Sequence, residues 1–360
     1  MSCGELEYFE KIVKLSKSKE FGRVLVTGSQ GYIGTEVVNQ LILKGVAVTG
    51  VDVGYFQDTK LDKNQEVETI RLNLRDVEKL DLTQFASVIH LAALSNDPLG
   101  EIDPNVTYEI NRDCAITLAK QARKQGVERF IFASTQSIYG ISKSAIELDE
   151  DAEKNPVTVY AKSKWEAEQE ILGLSTNDFL TVSVRPSTVF GWGSRIRNDI
   201  IFNNMIMSGL KNSSIDVHTD GKPYRPVVHI LDVVDFFLGL LSGHTNKISG
   251  KAFNLGLTGG NYTVLQIAEV ASACLGNLPI ISNTENLVDQ RTYKVSFEKA
   301  RVELGFIAKR DLFFGGNEIV QNFLSLSPEN RTKYFNNTSR LAVLKRLINS
   351  DLLKHDLSWA

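Results

Sequence analysis

The most constraining stretch is residues 23–34. There an aliphatic, β-branched run, Arg-Val-Leu-Val-Thr, passes directly into Gly-Ser-Gln-Gly-Tyr-Ile-Gly. Gly28, Gly31 and Gly34 therefore fall between a short apolar strand and a helical pattern that continues to about residue 44. A glycine turn in that setting lets backbone approach a pyrophosphate, and the helix start offers free N–H groups and a positive dipole end. Taken alone, the spacing also fits an ordinary tight strand–helix turn. A second buried-type run, 46–52, ends in Asp52, 18 residues beyond Gly34. A carboxylate there can take both hydroxyls of an adenosine ribose and repels a 2′-phosphate, which favours NAD over NADP. The plain alternative is the start of a polar loop.

Further apolar runs at 87–92, 129–133 and 180–185 are separated by helical patterns such as 110–125 and 160–173. Buried strands alternating with helices predict an α/β fold, a doubly wound parallel sheet covered on both faces. The reading divides the chain into a helical extension (1–21), a dinucleotide-binding domain (22–185, with 225–255 returning to it), a smaller C-terminal lobe (186–224 and 256–325) and a tail (326–360). The tail carries a Leu-rich helix near 341–353 that either packs on the lobe or serves assembly.

With 43 acidic against 40 basic residues, the net charge of −3 gives no footprint for nucleic acid. Apolar runs stop well short of the ~18 residues of a membrane span. Cys3, Cys114 and Cys274 are too scattered for a disulfide framework, and the five histidines have no metal-ligand spacing, so no metal is expected. The charged N-terminal segment lacks a signal-peptide core, so the chain reads as cytoplasmic with free thiols.

Tyr160 and Lys164 lie one helical turn apart on one face. A phenol near pKa ~10 is a poor base at neutral pH, but an adjacent ammonium favours phenolate. Such a pair can take a proton from an alcohol while hydride leaves the same carbon. The other Tyr-x-x-x-Lys, Tyr139 to Lys143, follows the fourth strand, contains Gly140 and Ser142, and lacks a helical apolar pattern. It is rejected as the reacting pair. Ser134 and Thr135, about 25 residues upstream of Tyr160, offer strand-end hydroxyls to a reacting sugar oxygen.

The ordered set TGSQGYIG (27–34), Asp52, NLRD (73–76), HLAA (90–93), FASTQSIYG (132–140), YAKSK (160–164), RPSTVFG (185–191), RPVVHILDV (225–233), FNLG (253–256), DQRTY (289–293) and SFEKARVELGF (296–306) resembles the extended short-chain dehydrogenase/reductases. Within them it is similar to the nucleotide-sugar epimerase/dehydratase branch. The resemblance covers roughly residues 22–307. It implies a Rossmann-type sheet with a smaller substrate-binding lobe, NAD as cofactor, a nucleoside-diphosphate sugar as substrate, and a homodimer joined through helices near 106–125 and 160–173. By position, Gly28, Gln30, Gly31, Tyr32, Ile33 and Gly34 would hold the pyrophosphate region and Asp52 the adenosine ribose. Asn73 and Leu74 would lie beside the adenine, with Asn73 replacing the family's usual Asp. Leu91, Ala92, Ala93 and Pro186 would line the nicotinamide side. Asn111 would order the neighbourhood of Lys164. Thr135, Tyr160 and Lys164 would form the catalytic triad, with Tyr160 as acid/base. Ser95, Thr135, Thr188, Arg225 and Arg291 would meet the substrate. Thr188 stands where the family's epimerases often have Asn.

The two residues after Thr135 bear on the reaction. Where 4,6-dehydratases carry Asp-Glu, this chain has Gln136 and Ser137, which cannot readily supply an acid and a base for eliminating water. Hydride chemistry at one sugar carbon, most often C4, remains. The expected reaction is epimerisation; an NDP-sugar C4 dehydrogenase or 4-ketoreductase would use the same residues. A non-catalytic NAD-binding regulator has no need of Thr135, Tyr160 and Lys164 together. Asp97 and Glu101 are the carboxylates nearest in sequence that could still enter the pocket.

Overall fold

The computed structural model describes residues 22–61, 67–142, 146–242, 245–282 and 292–360. The strands are, in chain order, β1 (Val24–Thr27), β2 (Val48–Asp52), β3 (Thr69–Arg71), β4 (Ser87–His90), β5 (Arg129–Ala133), β6 (Leu180–Pro186), β7 (Thr188–Phe190), β8 (Ile215–Val217), β9 (Tyr224–His229), β10 (Lys251–Leu255), β11 (Asn261–Thr263) and β12 (Ile280–Ser282). Seven form one sheet in the order β10-β6-β5-β4-β1-β2-β3, with every pairing parallel. The strand order reverses between β1 and β4, whose ends at Thr27 and His90 are paired. Ligands of open α/β sheets bind at that crevice, beyond the carboxyl ends of the strands.

β1 shows why the sequence is read as a buried strand. All four of its residues are buried. Val24 and Val26 face one apolar cluster with Val37 and Leu41 of the helix Tyr32–Leu43. Leu25 faces a second cluster with Leu118 and Ala122 of Cys114–Lys124 and Ala167 of Val159–Gly173. Helices thus cover both faces, and the strand shows no polar alternation. This is the doubly wound Rossmann-type fold. The helical stretch expected at 110–125 begins earlier, at Pro104–Tyr108, and passes through one π-turn, Glu109–Asp113, before Cys114–Lys124. β3 was invisible to the apolar pattern because it is a three-residue edge strand, largely exposed.

The smaller lobe is built on the sheet β11-β9-β7 and the pair β8-β12. β9 belongs to this lobe, whereas the buried helix Ile230–Leu241 and β10 return to the large sheet. Beyond it lie Pro328–Asn337 and Arg340–Asn349. Tyr334 stacks on Trp192 at 6.2 Å. Leu344, Leu353 and Leu357 pack with Tyr55, Leu74, Leu94 and Leu99, so the end of the tail rests on the dinucleotide-binding side and not on the lobe. The N-terminal helix expected before residue 22 lies outside the described residues.

Candidate active site

A cavity of about 750 Å³ opens over the carboxyl ends of the central strands, between the large sheet and the lobe. That is ample for small-molecule ligands. One wall is the glycine turn. Gly28 has φ +70°, and a Cβ on it would lie 2.7 Å from the Ala92 nitrogen. A Cβ on Gly34 would lie 2.0 Å from the Gly28 carbonyl oxygen. Both glycines are therefore required by the backbone itself. Gly31 is different: a Cβ there meets only the Gly28 oxygen, at 3.1 Å, and otherwise projects into open space. That space lies at the start of Tyr32–Leu43, where a helix N-terminus favours an anion such as a diphosphate.

Asp52 closes the end of this wall. Its Oδ2 accepts from the Gln30 nitrogen at 2.9 Å and its Oδ1 from the Gly54 nitrogen at 2.8 Å. Burial pushes its pKa up, and these two hydrogen bonds oppose the shift. Gln30 itself is not in the wall; its backbone holds Asp52. Asn73 lines the cavity, but its Oδ1 is engaged by the Arg75 nitrogen at 3.1 Å as a cap. Tyr32 points its hydroxyl at the Gly191 carbonyl, 2.6 Å away, and so ties the turn to the lobe. Ile33, Leu74, Leu91, Ala92, Ala93 and Pro186 all face the cavity.

The floor comes from the helix Val159–Gly173. Its cap, Thr158, accepts from the Ala161 nitrogen and donates to Asp97 Oδ1 at 2.5 Å. Tyr160, Lys164 and Glu168 follow at four-residue intervals on one face. Tyr160 is hydrogen-bonded to Thr135, whose own backbone is extended at the end of β5. Burial lifts the phenol to about 12, while the Thr135 contact opposes that rise. Burial lowers Lys164 to about 7, and Glu168 works against the loss of its charge. The Lys164 ammonium lies 4.1 Å from the centre of the Phe132 ring. Glu168 is fixed in turn by Arg185 at 2.5 Å and the Ser183 hydroxyl at 2.8 Å.

Asn111 lies behind the wall. It receives the Leu94 nitrogen at 2.8 Å, donates to the Leu94 carbonyl at 3.2 Å, and reaches Ser163 Oγ at 3.4 Å. It therefore orders the loop after β4 against the Tyr160 helix, from a π-turn. His90 is a core residue: its Nδ1 meets Thr27 Oγ1 at 2.7 Å, and burial lowers it to about 3. Tyr139 is buried away from the cavity, between the Asp149 carbonyl, Asn254 and Arg185. Lys143 lies outside the described residues.

Ser95 lines the cavity from the loop after β4, and Thr188 and Arg225 line it from the lobe, where Arg225 donates to the Tyr224 carbonyl at 2.9 Å. Arg291 lies outside the described residues. Several lining groups escaped the sequence reading. Arg197 reaches Ser95 Oγ at 3.0 Å and pairs with Asp199 at 2.9 Å. Asp97, by contrast, is one of the two carboxylates that the sequence offered to the pocket; it lines the cavity, and its charge acts on Tyr160. Residues 339–341 of the tail line it as well. Glu168 was detectable as the next position on the Tyr160–Lys164 face. For Arg197, Asp199 and the tail no spacing rule gives the position.

A family model for the NAD-dependent epimerase/dehydratase family matches residues 24–256. The chain belongs to this family. A UDP-glucuronic acid decarboxylase of Arabidopsis thaliana is 27% identical over 340 residues, covering 88% of this chain and 73% of that protein. A UDP-glucose 4-epimerase of Cyamopsis tetragonoloba is 27% identical over 319 residues, covering 79% and 90%. Among solved structures, MoeE5 in complex with UDP-glucose and NAD is 26% identical with a TM-score of 0.72, covering 85% of this chain and all of that one. The cofactor of this epimerase/dehydratase family is NAD, and the residues present fit it. The open space at Gly31 and the ionisable Asp52 stand at one end of the cavity, and the apolar Leu91–Ala92–Ala93 segment runs toward Tyr160 at the other. Among the described residues no helix is long and apolar enough to cross a membrane.

Proposed function

We propose that the protein is a nucleoside-diphosphate-sugar epimerase working at C4, with Tyr160 as acid/base. The observation that carries this reading is the convergence of Tyr160, Thr135 and Lys164 on the cavity that also holds the glycine turn. The 4-epimerase among the relatives supports it. When bound, NAD supplies a reversible hydride acceptor and, in its oxidised form, a positive charge.

The residues divide the remaining work. Without that charge the proton stays on Tyr160 Oη, because burial lifts the phenol to about 12. A cation in the cavity and a protonated Lys164 bring phenolate within reach, and Tyr160 then takes the proton of a sugar hydroxyl and later returns it. Thr135 holds the phenol in place and offers its own hydroxyl to the same oxygen. Glu168 keeps charge on Lys164. Ser95, Thr188 and Arg225 face the sugar nucleotide, with arginine suited to the diphosphate. Gln136 donates to the carbonyls of Arg185 and Leu255, so its amide is a structural group and no proton carrier. Asp97 is the carboxylate available for any chemistry beyond C4. The helices Cys114–Lys124 and Val159–Gly173 form the expected homodimer seam.

The test is a panel of UDP-, GDP-, CDP- and dTDP-sugars in D₂O, with products followed by NMR. Inversion at C4 without deuterium at C5 is expected. Oxidised or reduced sugar, loss of CO₂, or a new methyl signal with deuterium at C5 would replace this reading. Tyr160→Phe should cost about 10²–10⁴-fold in rate while leaving NAD bound; a variant within threefold of the parent would end the assignment.

A further inference from the structure

The tail supplies part of the cavity wall, and its contribution is a buried cation. Arg340 is 2% exposed and begins the helix Arg340–Asn349. Its guanidinium donates to Thr59 Oγ1 at 2.9 Å and to the Arg195 carbonyl at 2.6 Å, and it lies 4.6 Å from the centre of the Phe56 ring. All three partners are neutral. Asp199, the nearest opposite charge in the same wall, is already paired with Arg197. A buried guanidinium with neutral partners is costly unless an anion completes it. Burial and the neighbouring Arg197 and Arg195 lower Arg340 to about 9, and the charges of Asp199 and Asp52 only partly oppose this.

Its position says which anion. Arg340 is close enough to Asp52 for their charges to interact, and Asp52 holds the Gln30 nitrogen of the glycine turn. Arg340 and the glycine turn thus line one cavity, with Asp52 hydrogen-bonded to the turn and acting on the charge of Arg340. The rest of the tail is fastened to that same end. Trp359 donates to the Val53 carbonyl at 2.8 Å and stacks on Arg71 at 4.6 Å, and Tyr55 donates to the Leu357 carbonyl. The family match ends at residue 256, so the tail's side of each of these contacts lies beyond it.

We propose that residues 339–341 are a cofactor-binding element, in which Arg340 is the charge partner of the dinucleotide diphosphate and the tail closes the pocket over it. The inference rests on NAD as the cofactor and is independent of which sugar is turned over.

The test measures NAD and UDP binding by calorimetry, and tryptic cleavage at Lys345 and Arg346 with and without NAD, on the full chain. Arg340→Met should weaken NAD about 10–100-fold, as expected for loss of a charge-assisted contact. UDP binding should stay within twofold. Trp359→Ala, at a residue outside the cavity lining that fastens the tail to Val53, should speed NAD release, and NAD should slow cleavage of the tail in the parent. If Arg340→Met fails to fold, Arg340→Lys and Trp359→Ala carry the same comparison. NAD binding within twofold of the parent in the folded variants overturns the proposal. So does a loss that falls on UDP alone, or tail cleavage indifferent to NAD. A parent chain that binds no NAD overturns the cofactor reading along with it.

Discussion

The two walls of the dinucleotide end are built in opposite ways. One is backbone: Gly28 and Gly34 are packed so closely that a single methyl group has no room, and Gly31 leaves open space where a side chain would otherwise stand. The other is long side chains: Arg197 and Arg340 are both under a tenth exposed, and they are held by hydroxyls, a carbonyl and Asp199. The backbone wall is rigid because no rotamer can relieve it. The arginine wall is positioned by burial and by side-chain contacts, such as the Arg197–Asp199 pair, that a substitution can remove. The first sets where an anion sits, and the second sets how strongly it is held.

Breaking the backbone wall should have the largest effect. Gly34→Ala pushes a Cβ against the Gly28 carbonyl, a clash that no side-chain motion relieves. We expect a stability loss of about 4 kcal/mol or more by denaturant titration and no measurable NAD binding; a variant that binds NAD within threefold of the parent contradicts the wall's rigidity. Breaking the arginine wall comes next. Burial opposes ionisation of Asp199, yet Arg197 outweighs it and holds the carboxyl below the usual carboxylate range. Stability from this pair is thus present above the unfolded carboxylate pKa and is lost as pH falls through the folded one. Arg197→Met should cost about 3 kcal/mol at pH 7, and the deficit should shrink on acidification below pH ~4, where Asp199 is protonated in the unfolded chain. A deficit that is flat with pH would assign the loss to packing. The smallest effect sharpens the boundary between the walls. Asp52→Asn keeps the shape and removes the charge, so the preference for NAD over NADP should fall about tenfold. An unchanged ratio would show that the arginine wall, not Asp52, selects the cofactor.

The sequence made the backbone wall legible because its rules are local. Glycines at fixed offsets, a strand before and a helix after define the turn from twelve residues. The Tyr160–Lys164 face is local too, and one more step of four residues reaches Glu168. The arginine wall obeys no such rule. Arg197 meets Ser95 and Asp199 meets Asn96 across more than a hundred residues, and Arg340 meets Thr59 across nearly three hundred. Periodicity reveals that a tail helix exists but not which surface its apolar side covers, and so its docking beside Tyr55 and Leu74 was not foreseen. β3 was missed for a related reason, since an exposed edge strand of three residues carries no buried period.

The separation of the two walls along the chain also has a consequence in time. Synthesis runs from the glycine turn toward the tail at roughly 5–20 residues per second, so about 15–60 s pass between making Gly34 and making Arg340. During that interval the turn, the large sheet and the Tyr160 helix have emerged while the pocket still has no far side. A nascent chain can therefore meet its dinucleotide through an open doorway. A premature stop after residue 326 would leave every group of the Tyr160 floor intact and still deliver a protein unable to close that doorway.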